Sequence, residues 1–94
     1  MPKIAVYNYL TFFIVMFDTT GEPPHLHVSK SKGGYMLAAK IWLHSLEFAK
    51  TGDFTQQELN LVQRLVEKNQ NKLLTAFEKA RRGEKVKVLK LTDN

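Results

Sequence analysis

Hydrophobic spacing changes once along this chain, near Phe54, and that change limits the fold more than any other feature. Before it, apolar residues alternate or run together in short β-forming stretches. After it, Leu59, Val62, Val66, Leu73, Phe77 and Ala80 recur at steps that follow one helical stripe. A strand-rich half followed by a helical half predicts an α+β layer fold, a sheet with a helix laid across one face. With 94 residues there is room for one such domain.

The first half reads as an antiparallel four-stranded β-meander, with strands at about 3–7, 11–17, 25–30 and 35–43. Asn8-Tyr9 and Lys32-Gly33-Gly34 supply turns. Strand two is apolar on both faces, Phe12, Ile14 and Met16 on one and Phe13, Val15 and Phe17 on the other. It therefore wants cover on both sides, and the helix supplies one. Thr55 and Glu58 form a capping box and Phe54 can staple onto Leu59, so the helix is expected over about 55–82, with Gly83 just past its end. One straight helix of that length is about 40 Å long at ~1.5 Å per residue. Asn69 interrupts its apolar stripe and marks a bend or a polar contact. Residues 1–83 are read as the domain and 84–94 as a basic C-terminal tail, within which 86–91 forms a short edge strand or an ordered tail.

Charge is uneven. Of the formal net +5, the excess sits in Lys79, Arg81, Arg82, Lys85, Lys87 and Lys90, faced in that stretch by Glu84 alone. Such a cluster attracts phosphate or an acidic protein, and cations also favour a helix C-terminus. The chain lacks cysteine, which excludes disulfides and thiolate chemistry. The apolar run at 12–17 is too short for a membrane span, and the N-terminus has no signal-peptide pattern. A cytoplasmic protein with no membrane role is expected. No Gly-rich phosphate loop, nucleophile elbow or paired carboxylates are present, and no cofactor is implied.

The segment GEPPHLHVSK, residues 21–30, concentrates the remaining chemistry. Pro23 and Pro24 fix an extended approach and cannot donate to a ladder, so pairing begins at about His25. If Ser31 pairs with Gly34 across a tight hairpin, His27 falls opposite Ala38 and His25 opposite Lys40. His25, His27 and Ser29 then share a face with Met36, Ala38, Lys40 and Trp42, while Leu26, Val28, Leu37, Ala39 and Ile41 turn toward the helix.

The string Glu22-Pro23-Pro24-His25-Leu26-His27-Val28, followed by Lys40-Ile41-Trp42-Leu43, resembles the bacterial family named domain of unknown function 4160. The resemblance runs from Met1-Pro2 to about Ala80, so the tail looks like an extension. It implies a small toxin–antitoxin-like protein held by a partner encoded nearby. The family carries over no settled activity and no catalytic role for Glu22, His25, His27, Lys40 or Trp42.

Three readings follow. In the first, the chain is a protein-binding module that takes a small partner protein or a second copy of itself, through Phe12, Ile14, Met16, Met36 and Trp42. In the second, it is a metal-independent ribonuclease or RNA-binding toxin. There His25 and His27 serve as acid and base and Lys40 steadies the phosphorane; Lys79, Arg81, Arg82, Lys85, Lys87 and Trp42 hold RNA. In the third, His25 and His27 chelate a metal with Glu22 or His44. The plain structural use of the histidines is to hydrogen-bond the proline loop and fill a sheet face. Whether the chain is an enzyme stays open at this stage.

Overall fold

In the computed structural model, residues 2–16, 21–30 and 37–93 are described. The fold is α+β, with one six-stranded, mostly antiparallel sheet and two helices. The strands are β1 (Lys3–Tyr7), β2 (Leu10–Phe13), β3 (His25–Lys30), β4 (Ala39–Trp42), β5 (Phe48–Lys50) and β6 (Leu89–Lys90). The helices are α1 (Gln56–Lys68) and α2 (Gln70–Arg81). Across the sheet the order is β5-β4-β3-β2-β1-β6, so β1 to β5 form an antiparallel meander and β6 closes the far edge parallel to β1.

Several expected details are corrected. The meander has five strands, not four. β5 escapes sequence reading because three residues carry too little period to register. Leu46, at φ +65°, makes the turn before it, and the Trp42 amide donates to the Glu47 carbonyl at 2.9 Å. Strand two ends at Phe13, because the Ile14 amide leaves the ladder and donates to the Pro2 carbonyl at 3.0 Å. Strand four begins at Ala39; Phe17, the turn at 31–34, Tyr35 and Met36 lie outside the described residues. Asn8 turns the first hairpin at φ +50°, a conformation that asparagine tolerates well.

The single long helix is two. Asn69, at φ −117°, ends α1 and starts α2. Its side-chain Nδ2 donates to the Leu65 carbonyl at 2.8 Å, beside the Asn69 backbone amide, which reaches the same carbonyl at 3.2 Å. A straight rod of ~40 Å exceeds the longest axis of the molecule, 33 Å. The break lets both halves lie on the sheet. Leu59, Val62, Leu65 and Val66 of α1 and Leu73, Ala76, Phe77 and Ala80 of α2 then pack on Leu10, Phe12, Leu26, Val28, Ala39 and Ile41. The capping box forms as expected, the Glu58 amide donating to Thr55 Oγ1 and the Thr55 amide to Glu58 Oε1.

The tail returns antiparallel along α2 after Gly83, a left-handed residue at φ +81°, and then joins the sheet. Leu91 is buried in the core, its amide donating to the Val6 carbonyl at 3.0 Å. Asp93 fastens the end, meeting Arg64 at 3.2 Å and Lys68 at 3.3 Å. Among the described residues no helix is long and apolar enough to cross a membrane.

Candidate functional site

The His-x-His segment sits at the mouth of β3. Pro24 cannot donate, but its carbonyl accepts from the Leu43 amide at 2.9 Å, so the ladder starts at His25 as proline chemistry requires. The observed register pairs His25 with Trp42 and His27 with Lys40, two residues from the expected pairing. A two-residue shift preserves side-chain alternation, and His25, His27, Lys40 and Trp42 still share a face.

On that face the rings form a chain. Phe13 stacks on His27 at 5.5 Å, His27 meets His25 edge-on at 5.4 Å, and His25 meets Trp42 edge-on at 5.5 Å. His25 Nδ1 lies 2.9 Å from the Pro23 carbonyl; a carbonyl only accepts, so Nδ1 carries the proton in this contact. The His25 ring also reaches Phe77 of α2, at 5.8 Å, and so touches the helical layer as well. His25 is 0% and His27 3% exposed. Lys40 lies 2.5 Å from Glu22 and 4.8 Å from the centre of the Trp42 ring. Its charge is thus shared between a carboxylate and a π face.

The proposed catalytic trio is therefore brought together, but the fold encloses both imidazoles and gives Lys40 a carboxylate partner. Glu22, considered as a metal ligand, is that partner, while His44 is exposed beside Pro23, Pro24 and Trp42. Among the described residues no group of three or more His, Asp or Glu is placed to hold a metal.

The expected interface on strand two divides. Phe12 and Ile14 are 0% exposed in the core with the helices and offer no surface in this fold. The opposite face is covered too, since Phe13 and Val15 are buried with Ala38. Met16 is exposed, Trp42 half-buried, and Met36 lies outside the described residues.

The basic cluster divides as well. Arg81 is paired with Glu78 at 2.6 Å and Arg82 with Glu84 at 2.7 Å. Trp42 lies on β4, four strand spacings from β6, or roughly 19 Å at ~4.8 Å each, so it stands apart from the tail. Lys79, Lys85 and Lys87, by contrast, converge on one groove of about 410 Å³ between α2 and the returning tail. Lys72 joins them from α2, Asn71 and Thr75 add polar groups, and Ala76, Val86 and Leu89 form the floor. No carboxylate lines it, and none of the four lysines makes an ion pair among the described residues. Sequence reading missed Lys72, Thr75 and Asn71. Their signal was there in the spacing of Lys72, Thr75 and Lys79 along one flank of a helix.

The family profile of domain of unknown function 4160 (DUF4160) matches residues 10–78. The chain belongs to that family. No curated protein and no solved structure matches it. The matched span holds the histidine face, both helices up to Glu78 and Lys72, but stops short of Lys79, Lys85 and Lys87. In this DUF4160 chain the lysine groove is thus completed by residues beyond the matched span.

Proposed function

We propose that this chain is a protein-binding module whose groove between α2 and the tail takes an acidic, apolar-bearing segment of a partner protein. The observation that carries this reading is the make-up of the groove: four lysines at its rim that make no ion pair among the described residues, no carboxylate in its lining, and an apolar floor. An apolar floor draws in side chains by desolvation, and the rim selects negative charge and speeds encounter. A phosphate backbone would satisfy the rim and leave the floor idle. The groove lining has no aromatic ring on which a base would stack, which favours peptide over RNA.

A toxin–antitoxin-like role fits this reading. The acidic segment would belong to a small protein encoded nearby, met in the cytoplasm. Catalysis by His25, His27 and Lys40 would need the sheet face to open before a substrate could reach either ring.

The test is titration of the purified chain with an acidic amphipathic peptide and, in parallel, with single-stranded RNA of equal charge. Peptide binding is expected, weakened at least tenfold by the double reversal Lys79→Glu, Lys85→Glu. Tighter binding of the RNA would give the groove to nucleic acid. Co-purification with the product of the neighbouring reading frame, sized by light scattering, then identifies the partner.

A further inference from the structure

We infer that the acidic segment binds as an added β-strand along the outer edge of β6, with alternate side chains dropping into the lysine groove. This rests on the protein-binding reading of the groove and specifies how the partner is held.

β6 is the last strand on its side of the sheet. The Leu91 amide donates inward to Val6, and successive residues of a strand alternate, so the N–H and C=O of Lys90 point outward. Among the described residues nothing bonds to them from that side. An edge of this kind is a template for a further strand, and one that stays unpaired by itself must be defended.

Charge decides the occupant. Lys90 lies on this edge and Lys87 just ahead of it, and lysines there repel a second copy presenting the same lysines. The same ammonium groups attract a strand bearing carboxylates. Side chains of the added strand repeat on one face every ~6.6 Å, two residues of rise. Leu89 opposite Ala5 packs toward the helices and also floors the groove, so the groove opens on the helical side of the edge. Apolar residues of the added strand reach that floor, and their acidic neighbours, turned to the other face by alternation, meet Lys90. Val88, 39% exposed, offers apolar contact just ahead of β6.

The experiment uses an eight-residue peptide alternating Glu and Val, in three forms: unmodified, N-methylated on alternate amides of one edge, and N-methylated on those of the other. Binding is followed by calorimetry, and exchange of the Lys90 amide by NMR. The expected result is that one N-methyl form loses at least tenfold in affinity and the other binds as the parent. Bound parent should also slow exchange at Lys90. The variant Lys90→Pro removes an outward N–H that the β1–β6 pairing does not use, and should fold and lose the parent peptide. Equal binding of both N-methyl forms, with Lys90 exchange unchanged, would overturn strand addition and leave the groove reading standing. Failure of every form to bind overturns both.

Discussion

His25 Nδ1 and the carbonyl of Pro23 meet at 2.9 Å, two residues apart in sequence, and this contact ties the proline approach to the first rung of β3. The ring then fills the space between His27, Trp42 and Phe77. The Pro-Pro-His-x-His order thus has a structural use: the prolines bring an unbonded carbonyl to where an imidazole can cap it.

Replacing His25 by alanine removes that bond and leaves a void where a fully buried ring had been. The expected cost is about 2–4 kcal/mol, by analogy with other large-to-small changes in a core. For a domain of this size that corresponds to a fall of roughly 10–25 °C in Tm. Urea unfolding should show a lower midpoint with the same slope. An unchanged midpoint would mean that the ring adds nothing to stability and that its enclosure serves something else.

Gly52 should tolerate no side chain. It sits at φ +57°, and a Cβ there would lie 2.3 Å from the Leu37 carbonyl oxygen and 2.8 Å from the Ala38 carbonyl carbon. The left-handed conformation alone costs a non-glycine residue about 1–2 kcal/mol, and backbone atoms cannot swing aside as a side chain can. Gly83, also left-handed, has open space around it. Gly52→Ala is therefore expected to lower Tm clearly more than Gly83→Ala in parallel melts, and equal losses would contradict this geometry.

Acid should unfasten the start of α1. The Glu58 carboxylate accepts from the Thr55 amide and from Lys30 at 3.1 Å, and these bonds hold its pKa down at about 2. Tyr9 adds a third donor at 3.0 Å. A depressed carboxylate contributes stability that is whole above its unfolded pKa, near 4.5, and fades as pH falls toward 2. Asp93 is lowered in the same direction, first by its hydrogen bond from Arg64. Stability measured by urea between pH 6 and pH 2 (assay conditions, roughly spanning both pKa values) should decline on acidification, and Glu58→Gln should flatten that decline. An identical pH profile in the variant would remove Glu58 from the explanation.

Asn69→Ala should loosen the joint between the helices. The Leu65 carbonyl loses its 2.8 Å donor, and the weaker 3.5 Å reach to the Thr92 carbonyl disappears with it. A loss of about 1 kcal/mol is expected, typical of one removed hydrogen bond. Hydrogen exchange should speed up at residues 65–72 and at the tail end near Thr92 together. Faster exchange confined to one of the two would separate the helix joint from the tail.

The sequence alone determined what depends on neighbours along the chain. Proline forced the ladder to begin at His25, alternation placed Lys40 and Trp42 on the histidine face, and Thr55 with Glu58 started α1. These are local rules of dihedral angle, period and capping, and a two-residue error in register left the face assignment intact because side chains repeat every second residue. Tertiary structure decided what depends on distance across the molecule. Whether strand two kept an exposed apolar face, whether Lys40 found a carboxylate, and whether the lysines of α2 and tail converged all turned on which segments meet. Asn69 shows the boundary between the two. Its break in the stripe was legible, but that the break would fold α2 back over the sheet, and give the tail a flank to run along, required the packed core.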